Sequence, residues 1–132
     1  MGIVSSIGMN VEETLLNLKE KKSGVNDISL LKTNYSGKLP AAEIKKTNDE
    51  LAAIAGLKSG HSRTTLLATI AAKQAIQIFK KNEFDGLKKG FISANTVGGM
   101  DKTEDFMKEF AVDTSNGKLH DVIHHDCGAA TE

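Results

Sequence analysis

Three histidines, two aspartates and the only cysteine stand within eight positions of this sequence, in HDVIHHDCGAATE (120–132). His120 and His124 are four apart, so on a helix they share a face, as two zinc ligands would. HDVIHH lacks the glutamate of H-E-x-x-H that would act as general base, and Asp121 in its place is a shorter acid. A structural zinc site usually takes several cysteines, and this chain has Cys127 alone. The pattern therefore predicts polar residues gathered at a helix start, with Asp126 as cap or dipole partner, and no metal site. A small metal-dependent hydrolase on His120, His124 and Asp126 is the weakest functional reading. Cys127 beside His125 at a helix start has the elements of an activated thiol. No strained turn or oxyanion arrangement accompanies it, so a small buried side chain is the expectation and no catalytic residue is assigned.

A second place for chemistry is the glycine pair of ANTVGGM (94–100). Gly98 and Gly99 follow strand-forming residues and precede a helix, where backbone N–H groups can cradle phosphate. Their spacing is neither G-x-G-x-x-G nor the P-loop with its Lys and Ser/Thr. A tight strand-to-helix turn is expected, and glycines there also let another group approach the backbone, as in a pocket wall.

Several elements must position these residues. VEETLLNLKEKK (11–22) predicts an amphipathic helix with Leu15 and Leu18 among acids and lysines, Asn10 as N-cap, Glu13 as capping-box partner and Ser23-Gly24 as its stop. KLPAAEI (38–44) predicts a short extended piece around the only proline, Pro40, and NDELAAIAGL (48–57) a helix ended near Gly56. SRTTLLATIAAKQAIQIFKKN (62–82), capped by Ser62, is the strongest element. Leu66, Leu67, Ile70, Ala71, Ala75, Ile76, Ile78 and Phe79 cover a wide arc, which predicts burial between layers. Ala71, Ala72 and Ala75 leave room for a close neighbour. KGFISAN (89–95) predicts a strand, residues 100–112 a helix and 113–118 a loop. Helix, strand, glycine turn and helix make half of a parallel α/β pattern. With one central strand the sheet is incomplete, and the expectation is a helix-rich α/β part of a larger fold.

Composition narrows the function classes. Seventeen Lys+Arg balance seventeen Asp+Glu, and the pI is near 6.9. A dedicated nucleic-acid binder or polybasic membrane patch would show a basic surplus. No apolar run approaches the ~20 residues of a membrane span. MGIVSSIGMNVEE has neither the basic region nor the apolar core of a signal peptide, although Gly2 and Ser6 fit the short myristoylation pattern. One cysteine suits a reducing compartment, so a cytoplasmic location is expected.

Taken in order, the segments resemble the β-ketoacyl-acyl carrier protein synthases of the thiolase fold, over nearly the whole chain. GIVSSIGMNVEETLLNLKEKKSGV is similar to that family's opening turn and helix, and SRTTLLATIAAKQAI to its long helix on the sheet. GFISANTVGGM is similar to its next strand and glycine turn, and HHDCGAATE to the start of the helix before the catalytic elbow. The resemblance implies a partial thiolase-like fold, the N-terminal part of one βαβαβ half. The family's first strand, ending in Thr-Gly, is missing, as is everything from the Thr-Ala-Cys-Ser-Ser-type elbow onward. The complete enzyme would load an acyl group on cysteine and condense it with a malonyl-carrier thioester, in fatty-acid or polyketide-type synthesis, with acyl carrier protein as partner, as a homo-oligomer and without a cofactor. Cys127 does not match the family's nucleophile, and His61, His120, His124 and His125 match neither catalytic histidine, so the chain alone is expected to be inactive. What carries over is an acyl-pocket wall at Val97, Gly98 and Gly99, with Leu119–His125 matching a region near the dimer interface. The competing reading is a freestanding truncated protein that pairs with itself or with a partner synthase.

Overall fold

A computed structural model describes residues 1–77, 86–123 and 125–131. In chain order the elements are α1 (Val11–Lys19), β1 (Asn26–Asp27), β2 (Pro40–Ala41), α2 (Asn48–Ala55), α3 (Arg63–Gln77), α4 (Met100–Phe110), α5 (Leu119–Ile123) and a 3-10 turn, Cys127–Ala130. The molecule is helix-rich with one small antiparallel sheet, in which Asn26 faces Ala41 and Asp27 faces Pro40. No parallel pair of strands occurs among the described residues.

The core sits between α2 and α3. Thr47 and Glu50 form a full capping box at the start of α2: Thr47 Oγ1 accepts from the Glu50 N–H at 3.2 Å, and the Glu50 carboxylate accepts from the Thr47 N–H at 2.8 Å. The helix ends where Gly56 turns left-handed (φ 65°). Leu51 and Ala55, four apart, present one stripe to Leu66 and Ile70 of α3, also four apart, and all four are buried with Ala52. Val4, Met9, Leu57 and Leu67 close the margins of this cluster. Ser62 caps α3 as expected, its Oγ accepting from the Thr65 N–H at 3.3 Å.

The close approach expected at Ala71 occurs. The N-terminal segment lies so near that a Cβ on Gly2 would fall 1.8 Å from the Ala71 carbonyl oxygen. Gln74 fixes it there, accepting from the Ile3 N–H at 3.0 Å and donating to the Met9 carbonyl at 2.6 Å.

Several expectations are corrected. In α1, Asn10 does cap, but Glu13 reaches the Met9 N–H (2.7 Å) instead of Asn10's own. The helix ends at Lys19, where Lys21 enters the left-handed region, and not at Ser23-Gly24. Leu15 and Leu18 are 50% and 59% exposed, and Thr14 is the buried side chain of α1, because no described element covers the leucine face. α3 is not enclosed between layers: only Leu66 and Ile70 are buried in it, and Ile76 is 63% exposed. Ile78 and Phe79 lie outside the described residues. Residues 89–95 do not form a strand. Their aromatic and β-branched side chains favour extended pairing, but a strand exists only against a partner. The backbone from 88 to 94 makes no hydrogen bond to another described residue, and Ile92 is 97% exposed.

Candidate functional site

The glycine turn and the histidine–cysteine segment, 22 or more residues apart in sequence, close on each other. Asn95 begins the turn by accepting the Gly98 N–H on Oδ1 at 2.8 Å, the side-chain mimic of a backbone turn. Its Nδ2 donates across to the Cys127 carbonyl at 2.9 Å. Gly98 is left-handed (φ 51°), and a Cβ there would stand 2.1 Å from the His125 carbonyl oxygen. That oxygen accepts the Gly99 N–H at 2.9 Å. The Gly99 carbonyl then receives the Lys102 and Thr103 N–H groups, which starts α4. One helical turn on, Thr103 Oγ1 and His125 Nδ1 share a hydrogen bond of 2.6 Å.

On the other side, Asp126 caps the 3-10 turn as the sequence implied, accepting from the Gly128 and Ala129 N–H groups. Among the described residues the capped element is a 3-10 turn, and it rests on α3. Gly98 and Gly99 are buried beneath His125, while Val97 at the head of the turn is 49% exposed. Of the three residues proposed as a pocket wall, Val97 is thus the one at the surface, and the two glycines form the closed backbone beside it.

No family model matches this sequence, and no curated protein matches it. The site must be judged from its own chemistry.

His125 spends one ring nitrogen on Thr103, and the Cys127 side chain is exposed, not the buried one expected. His120 stands on α5 with its Cε1 4.0 Å from the position a Cβ would take on Gly60. His124 lies outside the described residues. Among the described residues no three His, Cys, Asp or Glu side chains converge as ligands would. No helix among them is long and apolar enough to cross a membrane.

A concavity of about 600 Å³ lies elsewhere, between the β1–β2 strap and the start of α3. Ile28, Leu30, Leu31 and Ile44 line its apolar side. Its polar end is a linked set that the sequence reading missed. Arg63 donates to the carbonyls of Ile44 (2.7 Å) and Lys46 (2.8 Å) and to Asn48 Oδ1 (3.1 Å). Asp101 Oδ2 accepts from Asn48 Nδ2 (3.1 Å) and from the Arg63 N–H (2.9 Å), tying the start of α4 to that of α3. Asp101 in the first turn of α4 was the available signal, since an acid there complements the dipole, but its cross-chain partners carry no local signature. The Glu43 carboxylate holds the strap, accepting from the N–H groups of Ser29, Leu30 and Leu31 and from Lys45. The Lys45 ammonium, seconded by those N–H groups, holds Glu43 well below the usual carboxylate range.

Proposed function

We propose that this chain is part of a β-ketoacyl-acyl carrier protein synthase and contributes one wall of its acyl pocket through Val97, Gly98 and Gly99. The observation that carries the reading is the contact between two segments that the sequence resemblance sets near that pocket. The turn preceding α4 is closed directly onto His125–Cys127, with no space for a side chain at Gly98. A half-exposed valine on so fixed a base is suited to limiting the depth of an apolar channel.

In this reading the fold is thiolase-like, and residues 1–132 form the N-terminal portion of the synthase domain. The enzyme condenses an acyl thioester with malonyl-carrier protein. The Cys-His-His set has no matching residue in this sequence, so the chain by itself carries no condensation activity. Acyl carrier protein is the partner, and the enzyme is a homo-oligomer. In a complete synthase containing this segment, Val97→Trp is expected to shorten the acyl chains accepted, read as the ratio of kcat/KM for long and short acyl donors. An unchanged chain-length preference with unchanged activity would overturn the pocket assignment.

The alternative, a chain that pairs with itself or with a partner synthase, is favoured by one observation. Leu15, Leu16 and Leu18 on α1 and Phe91 and Ile92 before the glycine turn are all at least half exposed. Light scattering after size exclusion is expected to show concentration-dependent association; a well-folded monomer at all concentrations would remove this reading.

A further inference from the structure

We propose that Asn116–Gly117, in the loop between α4 and α5, is a site of spontaneous covalent modification, where asparagine converts through a cyclic imide to aspartate and isoaspartate. The inference is independent of the acyl-pocket reading. The reaction needs a backbone nitrogen that can attack the preceding side-chain amide, little bulk on the attacking residue and access for water. Those conditions meet at this pair. Asn116 is exposed, and among the described residues its Nδ2 makes only a long contact of 3.4 Å to Asp113 Oδ2. The Gly117 N–H, the attacking group once deprotonated, is held by no hydrogen bond among the described residues. Glycine leaves the approach to Asn116 Cγ unobstructed.

The surrounding fold also keeps glycine in place. Gly117 has φ 121°, and a Cβ there would fall 2.6 Å from Phe106 Cε2, on a ring stacked against Phe110 at 5.4 Å. The reactive pairing thus comes with the way the α4–α5 loop packs on the end of α4. No other asparagine in the chain precedes glycine. Two of the others are tied into caps or cross-chain bonds: Asn10 caps α1, and Asn48 joins Asp101 and Arg63.

In the first step the Gly117 nitrogen bonds to Asn116 Cγ, the Cγ–Nδ2 bond breaks, and ammonia leaves with the proton released from that nitrogen. Water then opens the imide at either carbonyl, giving aspartate or isoaspartate. Isoaspartate adds a methylene to the main chain where the Asn116 N–H bonds the Asp113 carbonyl at 2.9 Å. Either product adds a negative charge to a chain whose formal net charge is zero.

The test is to age the folded chain in mildly alkaline buffer, map its peptides for the mass change of NH2 replaced by OH, and label isoaspartate with its methyltransferase. The same ageing is done in concentrated urea. Asn116 is expected to convert before any other asparagine and at least as fast folded as unfolded. Gly117→Ala is expected to slow conversion many-fold, in urea as well, so that the comparison survives if this variant fails to fold. Asn116→Gln should abolish the methyltransferase signal in the peptide that contains residue 116, while any signal from Asp85-Gly86, which forms the same imide, stays. An intact Asn116 in the folded chain beside conversion in urea, or another asparagine converting first, would overturn the proposal.

Discussion

Across α2 and α3, cohesion comes from side chains that have left water: Leu51, Ala52, Ala55, Leu66 and Ile70 are all buried, with Ser62 beside them. From Leu87 to Ala130 the described residues include no buried apolar side chain, only buried glycines. That half is held by directional bonds from Asn95, Gly99, Thr103 and Asp126, and by a glycine where a carbonyl needs the space. The first region derives its stability from area removed from water and tolerates small displacements. The second depends on bonds that hold or fail with geometry. A turn built that way can keep Val97 exposed without an apolar core beneath it.

The sharpest way to break this comparison is to remove equal apolar bulk from each half. Leu66→Ala is expected to cost about 2–5 kcal/mol, because it leaves a cavity in the only cluster of buried apolar residues described. Ile92→Ala should change stability by no more than about 0.5 kcal/mol, since its side chain already lies in water. Urea denaturation of the two variants reads the difference directly. Similar losses at both positions would mean that Ile92 is covered in solution, which is the association reading.

Gly98→Ala comes next in size. A left-handed alanine costs about 1–2 kcal/mol before any clash, and here the new methyl meets the His125 carbonyl oxygen, a backbone atom that cannot rotate away. Amide hydrogen exchange should show the Gly99 N–H and the Cys127–Ala130 turn losing protection while α2 and α3 keep theirs. Loss of protection in all of them together would show that the two halves unfold as one unit and that the contrast drawn here is only one of contact type.

The same contrast explains which features were legible in the sequence. Local chemistry could be read: Asn10 and Ser62 as caps, Asp126 as cap of the short turn, Gly56 as the end of α2, and the stripe of Leu66 and Ile70. Each depends on residues within a turn or two of itself. What failed required a partner that spacing cannot supply. The strand expected at 89–95 has the composition for pairing but no strand beside it among the described residues, and Leu15 and Leu18 have the helical period but no described face to meet. At the candidate site the glycine turn was visible. Its closure by Asn95 and Thr103 onto His125 and Cys127 was not, because those bonds span 22 and 32 residues.

The smallest effect should appear in the strap, where a third kind of cohesion operates: one carboxylate gathering three backbone N–H groups. Lys45 first, and then the N–H groups of Ser29, Leu31 and Leu30, lower the Glu43 pKa from its ordinary 4.5. The unfolded chain therefore takes up this proton first as pH falls. The stabilisation is complete above 4.5 and is lost progressively as pH drops below that value toward the lower folded pKa. The amide resonances of Leu30 and Leu31 should accordingly hold their positions through 4.5 and move only in stronger acid. In Glu43→Gln they should show no such acid transition, and the apolar wall they form over the 600 Å³ groove should exchange faster at neutral pH. Because Glu43 touches neither the α2–α3 core nor the glycine turn, the urea midpoint should fall less than in Gly98→Ala. A midpoint for the Leu30 and Leu31 amides at the ordinary glutamate value would mean that the carboxylate does not hold the strap, leaving the groove without a fixed wall on that side.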